Sequence, residues 1–251
     1  MPYAQNNQAR VAIIGGTGLT ALAGLVIQER REIITPYGAT SDLLCLGEYH
    51  GQSVLFLARH GEQHTIPPHQ VNYRANLWAL RELGANQVIS VAAVGAIHPQ
   101  LAPSELAIPD QIIDYTWGRE HTYSDLGSVQ HVDFTEPYDA ALRQRLLTAA
   151  AQANIKVLNG GTYAACQGPR LETAAEIRRL KQDGCDIVGM TAMPEASLAR
   201  ELALPYAAIA VSVNWAAGLG DGADIHADIA ASITLGMSKA RAILAKVLND
   251  E

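Results

Sequence analysis

Charge is scarce in this sequence. Lys, Arg, Asp and Glu make up 17% of its 251 residues, against roughly 25% in an average soluble domain. So few charges cover a surface thinly, which points to part of it being buried in an oligomer. The balance is acidic, with a net charge of −7, and argues against a general binder of nucleic acid or anionic membrane. Long hydrophobic runs are missing as well. None approaches the ~18 residues of a membrane span, and the opening MPYAQNNQAR has no apolar stretch for a secretory signal. Cysteine occurs three times, at Cys45, Cys166 and Cys185, too scattered for a disulfide framework or a metal cluster. A reduced, cytoplasmic setting is expected. Low-complexity tracts, internal repeats and obvious linkers are also lacking, so one domain over 1–251 is expected. Apolar residues reach 49%. That excludes a disordered chain and is enough for a sizeable core.

Apolar runs alternate with helical patterns. Strands are expected at 11–15 (VAIIG), 54–58 (VLFLA), 87–91 (QVISV), 187–189 and 207–213 (AAIAVSV). Helices are expected at 73–83, 139–154, 173–182 and 228–248. The last carries Ile229, Ile233, Met237, Ala240 and Leu244 at helical spacing, a stripe that reads as core. This alternation predicts an α/β fold, a single domain with a mixed central sheet flanked by helices. In such sheets ligands sit beyond the carboxyl ends of strands, so chemistry is sought there.

The first strand runs into Gly15-Gly16-Thr17-Gly18. By itself this loop fits a phosphate cradle, a partial dinucleotide fingerprint (Gly16-x-Gly18-x-x-Ala21) or a structural turn. No Lys-Ser/Thr follows, so it is no P-loop. The strand ending at Ala58 is followed by Arg59-His60, where a guanidinium fits as a fork for phosphate or as a rim salt bridge. His60, His64 and His69, with Glu62 among them, invite a zinc reading. The spacing fails it, because Gly61 follows the first His and Pro67-Pro68 opposes a helix, so no metal is expected. Glu172 opens a predicted helix, either as a first-turn acid complementing its dipole or as a carboxylate at a site mouth. Met190 and Thr191 lie at a strand-to-helix crossing, and Asn214 ends the strand 207–213 as a turn former or a neutral amide at the site edge.

Taken together, IIGGTG (13–18), LARHG (57–61), QHTIPPHQVNYRANLWAL (63–80), TEPYD (135–139), QGPRLET (167–173) and GMTAMPE (189–195) resemble the trimeric purine and methylthio-nucleoside phosphorylases over nearly the whole chain. The match at 57–80 is especially similar to the methylthio branch. The resemblance implies a pentosyltransferase that cleaves a purine nucleoside with inorganic phosphate as co-substrate and no cofactor. It places phosphate on Thr17, Arg59, His60, the backbone at Ala92–Ala93, and Thr191. It places ribose at Met190 and the base at Glu172 and Asn214, the latter two also carrying the catalysis. It implies a homotrimer in which His131 reaches a neighbour's site, and a role for Ala216, Leu171 and His226 in specificity.

Three departures from the family's pattern bear on that reading. Adenosine-selective members have acidic residues where Asn214 and Ala216 stand, and a small hydroxyl residue where Glu172 stands. The Glu/Asn pair here resembles the 6-oxopurine enzymes. An ionised Glu only accepts; hypoxanthine offers an N1–H donor, whereas adenine N1 is a lone pair. Ala92 replaces a phosphate-binding Thr, and Leu171 replaces a stacking aromatic. The favoured substrate is S-methyl-5′-thioinosine, with S-methyl-5′-thioadenosine and inosine or guanosine as alternatives. Remote rivals are a dinucleotide-binding oxidoreductase and a nucleoside-binding protein that has lost catalysis.

Overall fold

Successive residues of the first strand turn to opposite sides, and both sides are dry. A computed structural model describes residues 10–125, 127–220 and 225–249, with side chains of the last segment from 229 on. Strands β1 (Arg10–Gly15), β2 (Val26–Arg31), β3 (Leu44–Tyr49) and β4 (Gln52–Ala58) come first, then helix α1 (Tyr73–Glu82). Strands β5 (Ala85–Ala96), β6 (Leu106–Ile108) and β7 (Gln111–Asp114) lead to α2 (Ala140–Gln152). Next come β8 (Val157–Asn159), β9 (Thr162–Ala165), α3 (Ala174–Gln182), β10 (Ile187–Gly189), α4 (Ala192–Glu201), β11 (Tyr206–Trp215) and α5 (Ile225–Asn249). In β1, Ala12 and Ile14 join a core that includes Leu77 and Leu80 of α1 and Leu198 of α4. Val11 and Ile13 join another, with Leu142 and Leu146 of α2 and Leu244 and Val247 of α5. Helices on both faces explain why the central strands read as unbroken apolar runs rather than alternating ones.

The helix ends follow local chemistry. Asn72 and Asp139 cap α1 and α2 by accepting from Ala75 N and Leu142 N. Thr173 caps α3 in a reciprocal capping box with Glu176. Glu172 therefore lies just outside that helix, and Glu176 occupies the first-turn acidic position.

The strands form one mixed sheet in the order β2-β3-β4-β1-β5-β10-β9-β7, with β11 on β5 and β6, and β8 on β6. The long β5 organises it. Along one edge β1 runs parallel to β5 as far as Gly15 opposite Val91. From the other direction β10 runs antiparallel, with Ile187 opposite Ala96 and Val188 opposite Gly95. Two strands thus meet end to end along one edge of β5 and leave Ala92 to Val94 between them without a strand partner there. Along the other edge β11 runs parallel, with a bulge between Ser212 and Asn214. No helix follows Gly18: the chain turns and enters β2. A dinucleotide fingerprint needs a helix N-terminus over its glycines, so that reading does not hold.

Candidate active site

The gap along β5 opens into a cavity of about 620 Å³. Thr17, Arg59, His60, Ala92, Ala93 and Thr191 all line it. So do Met190, Leu171, Glu172, Asn214 and Ala216. These residues come from six stretches of sequence, brought together by the ends of β1, β4, β10 and β11, the middle of β5 and the loop before α3. His131 is exposed and does not line this cavity in its own chain. The side chain of His226 lies outside the described residues.

Arg59 is neither a free fork nor a rim salt bridge: its ion pair is buried. Its side chain and that of Glu195 are both 0% exposed. Arg59 Nε donates to Glu195 Oε2 at 2.7 Å and Nη2 to Oε1 at 2.9 Å, so the bidentate grip is on Glu195. Nη2 also donates to Ser90 Oγ at 2.7 Å and Nη1 to the Val91 carbonyl at 3.2 Å. Guanidinium has five N–H groups, which leaves one, on Nη1, for the cavity. Tyr206 donates to Glu195 Oε1 at 2.9 Å and completes the network. Burial alone would lower the Arg59 pKa, but the charge and hydrogen bonds of Glu195 outweigh it and hold the pKa raised.

The backbone supplies a second donor. The Val91 carbonyl accepts from Gly16 N at 3.0 Å, so it faces the β1 side of β5. Backbone groups alternate between the edges of a strand. Ala93, two residues on, therefore turns its N–H into the gap. Gly16 must stay glycine for this packing. A Cβ there would lie 2.7 Å from Arg59 Nη1 and 2.8 Å from the Val91 oxygen. Neither neighbour can retreat, so Gly16→Ala is expected to destabilise the fold by about 1–3 kcal/mol, read as a lower urea midpoint with unchanged slope.

His60 is a neutral ring. Its Nδ1 lies 2.8 Å from the Ile66 carbonyl, which only accepts, so the proton sits on Nδ1. Burial, then the Arg59 charge, lowers its pKa from the usual 6.5 to about 4. Neutral Nε2 is a lone pair, so an anion could receive a hydrogen bond only from the His60 backbone. His64 Nε2 bonds to Thr17 Oγ1. The two rings thus point to separate partners, and among the described residues no three His, Cys, Asp or Glu side chains gather as a metal site.

At the other end stand Glu172 and Asn214. Burial pushes the Glu172 carboxyl above the usual carboxylate range. Burial, with Glu172 nearby, pushes the Cys166 thiol up to about 12, so it stays protonated and is no nucleophile. The bulge in β11 brings Val213 and Asn214 both to the cavity, although neighbours on a regular strand face opposite ways. Asn214 Nδ2 donates to the Trp215 carbonyl at 2.6 Å, which leaves one amide hydrogen and Oδ1 for a ligand. The stripe on α5 is core only in part. Met237, Ala240 and Leu244 are buried, whereas Ile229 and Ile233 form an apolar wall of the cavity.

Arg119 escaped the sequence reading. It donates to the carbonyls of Met190, Met193, Cys166 and Gln167 at 2.7–3.2 Å, and to the Gln167 side chain. It ties the loop after β9 to the loop after β10, behind Met190 and Thr191. Nothing in TWGRE (116–120) signals this, because its partners lie 47–74 residues away.

The family model of the Phosphorylase superfamily matches residues 10–249. The chain belongs to the phosphorylase superfamily. A probable S-methyl-5′-thioinosine phosphorylase from Pseudomonas syringae pv. tomato is 53% identical over 240 residues, 95% of this chain and 98% of that one. A probable 6-oxopurine nucleoside phosphorylase from Thermococcus kodakarensis is 43% identical over 246 residues, 95% of this chain and 91% of that one. Methylthioadenosine phosphorylase from Schistosoma mansoni, solved with adenine, superposes with a TM-score of 0.90 at 32% identity, over 96% of this chain and 91% of that one. This phosphorylase is thus an enzyme of the nucleoside phosphorylase kind, a pentosyltransferase, with the mixed-sheet α/β fold expected of it.

Proposed function

We propose that the chain catalyses phosphorolysis of a 5′-methylthio purine nucleoside, S-methyl-5′-thioinosine first, to the free purine and 5-methylthioribose 1-phosphate. The observation that carries this reading is the convergence of Thr17, Arg59 and Thr191 on the gap beside Ala93, in one cavity with Glu172 and Asn214. Phosphate sits in the gap. It accepts from the remaining Arg59 N–H, the Ala93 N–H and the hydroxyls of Thr17 and Thr191. Thr191 makes no side-chain cap bond at α4 and lines the cavity. Ribose lies at Met190.

As the bond between C1′ and purine N9 breaks, positive charge grows on the sugar and negative charge moves into the base. The phosphate dianion stabilises the first and attacks C1′ from the opposite face. The Asn214 amide stabilises the second by donating to N7. Ionised Glu172 accepts the N1–H of a 6-oxopurine. Ile229 and Ile233 favour an apolar 5′ group: a Cβ on Gly18 would meet Ile233 Cγ2 at 2.5 Å, so that wall stands against the phosphate loop. Inosine or guanosine is the second reading, supported by relatives named 6-oxopurine nucleoside phosphorylases. S-methyl-5′-thioadenosine is the third.

The reading includes no cofactor, one domain over the whole chain, and a cytoplasmic setting consistent with the free Cys45, Cys166 and Cys185. It also includes a homotrimer in which His131 reaches a neighbour's ribose site. The exposed Trp117 and Val129, 72% and 70% accessible, suit a covered surface. The test is to incubate the protein with methylthioinosine, methylthioadenosine or inosine, with and without phosphate, and to follow free base. Release is expected only with phosphate, and fastest from methylthioinosine. No phosphate-dependent release from any of the three would refute the proposal.

A further inference from the structure

One polar contact inside the cavity has no part in that mechanism. Thr17 Oγ1 lies 2.9 Å from His64 Nε2. His64 is exposed and stands in the turn after β4 with φ +54°, a left-handed conformation that Asn, Asp and His tolerate better than most residues. Its ring centroid is 4.9 Å from that of His60. His60 cannot serve Thr17 in its place as a donor, because its one proton is directed at the Ile66 carbonyl.

A hydroxyl has a single proton. If Thr17 gives it to a bare His64 Nε2, the hydroxyl turns only lone pairs toward an anion. If His64 carries a proton on Nε2, Thr17 Oγ1 accepts from the ring and its own proton is left for the cavity. We infer that His64 is a positioning residue for phosphate: its Nε2–H donates to Thr17 Oγ1 and thereby aims the Thr17 hydroxyl as a donor into the cradle. The inference rests on the phosphorolysis reading. Direction matters more here than in a charged cradle. Arg59 is paired with Glu195 and has one N–H free, and Ala92 offers no hydroxyl.

Two substitutions separate this role from a packing role. His64→Asn keeps a residue that tolerates the left-handed backbone, but its amide is too short to reach Thr17. His64→Gln places an amide nitrogen near the position of Nε2. His64→Asn is expected to raise KM for phosphate about tenfold, the loss of one anion hydrogen bond, with KM for the nucleoside within about twofold. His64→Gln is expected to recover most of that loss. Thr17→Val with His64→Asn is expected to be no worse than Thr17→Val alone, because both remove one device. The inference is overturned by an unchanged phosphate KM in His64→Asn, by a Gln variant as impaired as Asn, or by effects that multiply in the double variant. Calorimetric titration with inorganic phosphate reads the same order without turnover. Phosphate affinities in that order across the variants, with no base released by the wild type, sink the phosphorolysis reading and leave the role of His64 in phosphate binding standing.

Discussion

Glu195→Ala is expected to cost about 3–5 kcal/mol of folding stability, the penalty for leaving a buried charge without its partner. Arg59 and Glu195 have no exposed side-chain surface, so water cannot replace the lost carboxylate. Ser90 and the Val91 carbonyl remain bound to the guanidinium but carry no charge. Tyr206 also loses its acceptor. Against a typical total of about 5–15 kcal/mol, the urea midpoint should fall steeply. The double substitution Arg59→Met with Glu195→Leu should regain much of the loss, because apolar residues of similar volume often replace buried ion pairs at little cost. Use of phosphate should not return, because the Nη1 donor is gone. A cost below about 1 kcal/mol for Glu195→Ala would mean that Arg59 finds another counter-charge.

Glu172→Ser should change which base is accepted. A carboxylate accepts from the N1–H of a 6-oxopurine and repels the N1 lone pair of a 6-aminopurine. A mismatched buried polar group costs about 1–3 kcal/mol. The ratio of kcat/KM for methylthioinosine over methylthioadenosine should therefore fall about tenfold or more, and an unchanged ratio removes Glu172 from the base site. The same residue should show in the pH profile. Burial raises its pKa, and the ionised form, acceptor-only and charged, holds the N1–H more strongly than the protonated one. The kcat/KM for methylthioinosine should thus decline as pH falls through that raised value, at higher pH than an ordinary carboxylate would dictate. In Glu172→Gln, whose amide does not titrate, this limb should vanish.

Much of the frame was legible. The five strands expected from apolar runs and the four helices expected from periodicity all form, within a few residues. Six strands were not expected. β2, β6, β7, β8 and β9 are short or mostly exposed, and they take their shape from neighbouring strands rather than from their own composition. β3 is mostly buried, but Gly47 and Glu48 interrupt its apolar run. β5 runs five residues beyond QVISV, through small residues held extended by β11 and β10. Glu195 stands in the first turn of α4, and only the fold brings Arg59 to it across 136 positions.

Chemistry at strand ends, the apolar character of the sheet and the membership of the family were determined by residue order alone, because glycine loops, hydrophobic period and long motifs are local. The meeting of β1 and β10 along β5, the binding of Arg59 by Glu195, the bulge that turns Asn214 inward and the pairing of Thr17 with His64 were decided by the tertiary structure. Each joins groups far apart in the chain, and no local pattern encodes which partner a charge or a hydroxyl will meet.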